Sequence, residues 1–173
     1  VREVVTSGQL PKVDAASVPP RLQETKGCFV TLTKQGQLRG CIGHILPVEP
    51  LYEAVIDNAR NAALRDTRFS PVSKDELGQL EFEVSVLTEP APLVFGTPEE
   101  LLAKLRPHVD GVVLRVGGRS STFLPQVWEQ LPDKVQFLNH LARKAGAGES
   151  DWRLPGTTVS TYQVEAFKES ELK

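Results

Sequence analysis

The run Leu38-Arg39-Gly40-Cys41-Ile42-Gly43-His44 constrains the fold more than any other, because it sets two glycines, a guanidinium and a thiol within a β-strand. Glycine weakens a strand interior and belongs where a bulge forms or where another backbone or a ligand comes close. Upstream, Cys28-Phe29-Val30-Thr31-Leu32-Thr33 reads as the first arm of a hairpin, joined through Lys34-Gln35-Gly36 with the glycine left-handed. That three-residue loop pairs Thr33 with Gln37, and so Leu32 with Leu38, Val30 with Gly40, Cys28 with Ile42, Thr31 with Arg39 and Phe29 with Cys41. The apolar residues then share one face, whereas a slip by one residue would mix the faces. Cys28 turns into a core. Cys41 turns away from it, on the same face as Arg39.

Thiols on opposite faces of one hairpin cannot bring their Cβ atoms to the roughly 3.5–4.5 Å that a disulfide needs. Both cysteines are therefore expected to be free. Cys28 reads as a small buried hydrophobe. Cys41 has two readings: a packing residue, or a thiol whose ionised form Arg39 favours, lying in a groove that Gly40 and Gly43 leave open.

A chain of 173 residues can bury a sizeable core as one large domain or two packed lobes. With 40 % hydrophobic and 24 % charged residues and a net charge of −2, it lacks the basic field of a nucleic-acid binder. No apolar run approaches the roughly 20 residues of a membrane helix, and two unpaired cysteines suit a reducing, cytoplasmic compartment. Val1-Arg2-Glu3-Val4-Val5 reads as the end of a helix, with the expectation that the chain starts after residues removed from it.

Beyond the hairpin, Pro50 opens a helix in which Leu51, Ala54, Val55, Asn58, Ala59 and Ala62 recur with helical period, its alanines allowing close approach. Arg65 to Val72 has no period and ends at Ser73-Lys74-Asp75-Glu76, which fits a capping box. Leu80 to Leu87 alternates as a half-buried strand, with Phe82, Val84 and Val86 on one side and Glu81, Glu83 and Ser85 on the other. Thr97-Pro98-Glu99-Glu100 starts a helix through about Leu105. A second hairpin turns at Gly117-Gly118. A helix follows Asp133 and stops at Gly146, and a final strand lies between Thr157 and Phe167. This order gives an α+β fold, with mainly antiparallel sheets and packed helices.

His44, His108 and His140 lie in unrelated segments without Cys or carboxylates at metal-ligand spacing, so no metal site is expected. Gly40-Cys41-Ile42-Gly43 is neither a dinucleotide fingerprint nor a phosphate loop, and no cofactor is expected. Glu81 and Glu83 share a strand face, as solvated outer residues or as an acid/base pair. Around Phe69, Asp66, Arg65 and Arg68 form either a local ion pair shaping the loop or, with Arg39, an anion-binding wall. Trp128 and Trp152 read as core residues.

Taken together, Gly27-Cys28-Phe29-Val30-Thr31-Leu32, Leu38-Arg39-Gly40-Cys41-Ile42-Gly43, Asp66-Thr67-Arg68-Phe69-Ser70-Pro71, Val84-Ser85-Val86-Leu87, Asp110-Gly111 and Thr122-Phe123-Leu124-Pro125-Gln126-Val127 resemble the AMMECR domain family. Lys144-Ala145-Gly146 and Trp152 extend the resemblance to nearly the whole chain. It implies a single domain over residues 1–173, made of a larger and a smaller lobe, with the signature at a groove between them. It also implies a gene neighbourhood shared with a Memo-like protein and a radical-SAM protein, and so a common pathway or complex.

Two function classes follow. In the first, the chain is a binding or accessory module whose groove, bordered by Gly40, Gly43, Asp66, Arg68 and Phe69, takes a small anionic ligand or a partner protein. In the second, Cys41 is the nucleophile of an enzyme, Arg39 stabilises its thiolate or an anionic substrate, and His44 or Glu83 moves protons. A thiol within hydrogen-bond reach of a histidine or carboxylate would favour chemistry; a Cys41 without a base would favour binding.

Overall fold

The structure is a computed structural model that describes residues 1–172. It divides into two compact units, Val1–Glu89 with the chain from Glu165 onward, and Pro90–Val164.

The first unit is built on a four-stranded antiparallel sheet of order β2-β1-β3-β8, with β1 Cys28–Lys34, β2 Gln37–His44, β3 Leu80–Leu87 and β8 Val164–Lys168. Helix α1 spans Arg2–Ser7 and the short α2 spans Pro20–Gln23. Helix α3, Leu51–Leu64, lies across β1 and β2 and buries Leu51, Ala54, Asn58 and Ala62 of the stripe its periodicity marks, together with Ala63, while Val55 and Ala59 are half-buried. Val30, Leu32, Val72 and Leu80 complete this core, with Ile42, Phe82 and Val84 half-buried beside it. The capping box forms as its residues imply, with Ser73 and Glu76 opening a 3-10 turn from Lys74 to Gln79.

The second unit carries another antiparallel sheet, of order β4-β7-β5-β6: β4 Ala91–Leu93, β5 Gly111–Val116, β6 Arg119–Phe123 and β7 Thr158–Tyr162. Helix α4, Pro98–Lys104, begins at Thr97, whose side chain accepts the Glu100 backbone N–H. Helix α5, Lys134–Lys144, begins at Asp133 in the same manner and contributes Phe137, Leu138, Leu141 and Ala142 to the core. Trp128 stacks on Phe137 with ring centroids 3.6 Å apart, and both tryptophans are buried.

Two expectations are corrected here. The segment from Thr157 to Phe167 is not one strand: it breaks at Gln163, so that Thr158–Tyr162 joins the second sheet and Val164–Lys168 the first. The first hairpin turns through two residues, Gln35 and Gly36, rather than three, and both have positive φ, 53° and 76°. This is the geometry that Gly117 and Gly118 adopt in the second hairpin, with φ 55° and 76°. Paired positive φ matches the twist of the flanking strands; glutamine, unlike glycine, gives no sign of it in the sequence.

The register changes accordingly. Lys34 pairs with Gln37 and Thr33 with Leu38, and then Leu32 pairs with Gly40, Val30 with Ile42, Thr31 with Cys41, Phe29 with Gly43 and Cys28 with His44. Arg39 is the extra residue of a bulge. The shorter turn moves the register by one residue and the bulge by another. The two offsets restore the original faces, so Cys28 and Cys41 remain on opposite sides of the sheet, and both are free.

Candidate functional site

The bulge sends Arg39 away from Cys41, not beside it. Its Nε and Nη2 donate to the two carboxylate oxygens of Glu76, each at 3.0 Å, and its Nη1 donates to the Ser70 carbonyl at 3.0 Å. Glu76 also accepts from Lys34 Nζ at 3.1 Å and from the Ser73 backbone N–H at 3.0 Å. Arg39 and then the Ser73 N–H hold the Glu76 carboxyl well below the usual carboxylate range. The arginine of the signature is thus a clamp between the bulge and the capping-box turn.

The glycines serve the same packing. A Cβ on Gly40 would run into the carbonyl of Ala62 on α3, and one on Gly43 into the Cys28 carbonyl and Phe29. Both positions need glycine for close approach of protein backbone or side chain, with no ligand invoked.

Cys41 lies on the edge strand, where an unpaired N–H and C=O invite another chain. Both groups are met by one ion pair. The Cys41 N–H donates to Asp66 Oδ2 at 2.9 Å, and Arg68 Nη2 donates to the Cys41 carbonyl at 3.3 Å. Asp66 and Arg68 bind each other through Nη2 at 2.7 Å and Nε at 3.0 Å, and the Arg68 N–H closes the loop on Oδ1 at 3.2 Å. Arg68 is the main reason the Asp66 carboxyl lies well below its ordinary range; its burial opposes this and the Cys41 N–H adds to it. The Asp66–Arg68 pair therefore stands in for a neighbouring strand. Phe69 sits between the two guanidiniums, 6.0 Å from Arg39 and 5.5 Å from Arg68.

On the opposite face of the sheet, the Cys41 sulfur accepts a hydrogen bond from Thr31 Oγ1 at 3.3 Å. Among the described residues no histidine or carboxylate reaches it. His44 lies on the α3 side, where its Nδ1 is 3.5 Å from Asn58 Nδ2 and its Nε2 faces Glu49 at 3.9 Å. The same amide donates to the Cys28 carbonyl at 3.3 Å and to the Cys28 sulfur at 3.4 Å. Burial pushes the Cys28 thiol up, against the Asn58 hydrogen bond. Cys28 is an inert core thiol.

Of the residues singled out in the sequence, Asp66 and Arg68 therefore meet the backbone of Cys41 with Phe69 packed against Arg68, Arg39 is drawn off to Glu76 and Ser70, and His44 belongs to a separate cluster with Cys28, Asn58 and Glu49. Sequence reasoning missed Glu76 and Asn58 as partners. Their signals were present: Glu76 as the end of a capping box, and Asn58 as the one polar residue in an apolar stripe. Among the described residues no three His, Cys, Asp or Glu side chains converge as a metal site would require. No helix there is long and apolar enough to cross a membrane.

The signature, its clamps and the two-sheet α+β fold can now be set beside known proteins. The AMMECR1 family matches residues 1–167. The chain belongs to the AMMECR1 family. It is 40 % identical over 162 residues to a protein of Methanosarcina acetivorans, covering 93 % of this chain and 80 % of that one. A Methanopyrus kandleri protein is 38 % identical over 164 residues, covering 92 % and 79 %. The crystal structure of a Pyrococcus horikoshii protein superposes with a TM-score of 0.88 at 37 % identity, covering 97 % of this chain and 85 % of that one. Within this AMMECR1 chain, Arg39, Gly40, Gly43, Asp66 and Arg68 all have structural partners that account for their residue types.

Proposed function

We propose that this AMMECR1-family chain is a binding or accessory module that acts with a Memo-like protein and a radical-SAM protein, the partners that the family resemblance implies. The observation that carries the reading is the surroundings of Cys41: its sulfur meets a threonine hydroxyl, and its nearest histidine candidate, His44, is on the other side of the sheet. Nucleophilic catalysis needs a base within hydrogen-bond reach of the nucleophile. Arg39 and Arg68, the cations expected to receive a small anion, are each bound by a carboxylate in bidentate fashion. This shifts the weight from an anionic ligand at the arginines toward recognition through the Thr31 and Cys41 face.

The alternative, an enzyme with Cys41 as nucleophile, draws on one observation. Arg68, not Arg39, is the guanidinium beside Cys41, its Nη2 donating to the Cys41 carbonyl at 3.3 Å.

Comparing Cys41→Ser with Cys41→Ala separates the readings. An accessory module keeps function in cells and keeps capture of the two partners with either substitution, provided folding is retained. Loss of function in both, with thermal stability and capture unchanged, would establish chemistry at the thiol. Alkylation near neutral pH adds a direct measure: a reactive thiol is modified at Cys41 well before Cys28.

A further inference from the structure

On the face of the first sheet opposite α3, Cys41, Thr31 and Glu83 form one row across β2, β1 and β3. Glu83 is the unusual member. Its side chain is only 24 % exposed, and the nearest cation is Lys168 Nζ at 4.0 Å, beyond hydrogen-bond reach. No hydrogen bond from any described residue reaches this carboxylate. Asp66, Glu76 and Asp110 in the same chain are each held by a bidentate arginine, whereas Glu83, half-buried, keeps its acceptor positions open to a ligand.

Beside Glu83 lies a cavity of about 220 Å³, lined by Thr31 and Thr33 of β1, by Glu81 and Glu83 of β3, and by Lys168 and Ser170. Its size is below the roughly 300 Å³ at which pockets for drug-sized ligands begin, and suits a small metabolite. Its lining offers two carboxylates, one ammonium and three hydroxyl-bearing residues. An anion alone would meet two like charges. A cation alone would meet the Lys168 ammonium.

We infer that this cavity is a binding site for a small zwitterion of the amino-acid class. The ligand's ammonium donates to Glu83, its carboxylate accepts from Lys168, and the hydroxyls of Thr31 and Thr33 fix its orientation. The assignment rests on the binding reading above and names the ligand class of the same sheet face. It also gives Cys41 a place: through Thr31 its sulfur borders the site without taking part in a reaction.

The test is ligand-observed saturation-transfer NMR on the whole chain, with the proteinogenic amino acids presented one at a time at low millimolar concentration, and with backbone amide shifts of Thr31, Thr33 and Glu83 as the protein-side readout. At least one amino acid gives saturable shifts at these residues. Its decarboxylated amine and its deaminated acid each bind about tenfold more weakly, as expected when one charge-assisted contact is lost. Glu83→Gln, with an unchanged melting temperature, abolishes the shifts, and Lys168→Met weakens them severalfold. Should Glu83→Gln not fold, Lys168→Met and Thr33→Val carry the same test. The assignment is overturned if no amino acid gives saturable shifts, if Glu83→Gln binds as wild type does, or if the amine alone binds as tightly as the amino acid. Capture of the Memo-like and radical-SAM proteins by the immobilised chain, without added amino acid, reads the module role separately. Capture without amino-acid binding overturns this assignment alone.

Discussion

Each unit of the molecule buries an aspartate against an arginine in the loop leading into or flanking its sheet, and the two pairs do different work. In the first unit Asp66 accepts the Cys41 N–H, so a loop side chain completes the edge of β2. In the second, Asp110 accepts the backbone N–H of its own partner Arg106 at 2.9 Å and the side-chain amide of Gln163 at 3.1 Å. Asp66 ties a loop to a strand edge, whereas Asp110 ties a loop to itself and to the chain end of its sheet. The edge of β6 is blunted in another way: Lys144 reaches back from α5 to the Thr122 carbonyl at 2.8 Å. The lesson is that an ion pair within a loop can take the place of a neighbouring strand at a sheet edge. The cores differ too, one dominated by aliphatic side chains and alanines, the other by a tryptophan stacked on a phenylalanine.

The strongest way to break this contrast is in the aromatic core. Trp128→Ala removes the stacked ring and the hydrogen bond of its indole to the Asp110 carbonyl, and should cost about 3–5 kcal/mol in chemical denaturation. A loss below that of an ordinary aliphatic truncation would show that the second core is not organised on Trp128.

The two aspartates come next. Asp66→Asn and Asp110→Asn should each cost about 1–2 kcal/mol, because each buried carboxylate loses part of its hydrogen bonds while its arginine, more than half exposed, turns to solvent. The pattern of amide hydrogen exchange distinguishes them. Asp66→Asn should speed exchange at Cys41 and along β2, while Asp110→Asn should confine its effect to the turn between Arg106 and Gly111. Equal spreading in both variants would refute the surrogate-strand reading.

Acid sharpens the comparison further. Asp66 and Glu76 have folded-state values depressed below their unfolded ones, so their stabilisation is complete above the ordinary carboxylate range of about 4 and is lost as pH falls below it. Stability measured against pH should therefore fall on the acid side, and Asp66→Asn should flatten that fall. An unaltered acid slope in the variant would mean that Asp66 is not depressed in the folded protein.

The smallest effect is expected at Lys34. Lys34→Met removes a partly exposed partner of Glu76 but leaves the Arg39 clamp, and should change stability by less than about 1 kcal/mol. A larger loss would make Lys34 a full member of the clamp.

Much of this was legible in the chain. Periodicity placed α3, β3 and α5, because apolar stripes at helical or alternating spacing depend on neighbours in sequence. The glycine doublet disclosed the second turn and the capping box disclosed the segment at Ser73. The opposite faces of Cys28 and Cys41 followed from alternation alone, and survived an incorrect register because the turn and the bulge offset one another in parity.

What the chain could not disclose are choices made by atoms far apart in sequence. Nothing local tells that Arg39 bulges toward Glu76 and not toward Cys41, or that Asp66 spends its charge on a strand edge. Gly40 and Gly43 suggested a ligand approaching closely, but the space they free is filled by the carbonyl of Ala62 and by Phe29. Glycine marks a close approach without naming what approaches. Sequence fixes which residues can pair, cap or pack, since those preferences are carried by each side chain and its neighbours; only the folded backbone decides which carboxylate an arginine meets, because that depends on directions and distances set by the turn, the bulge and the helix packed above them.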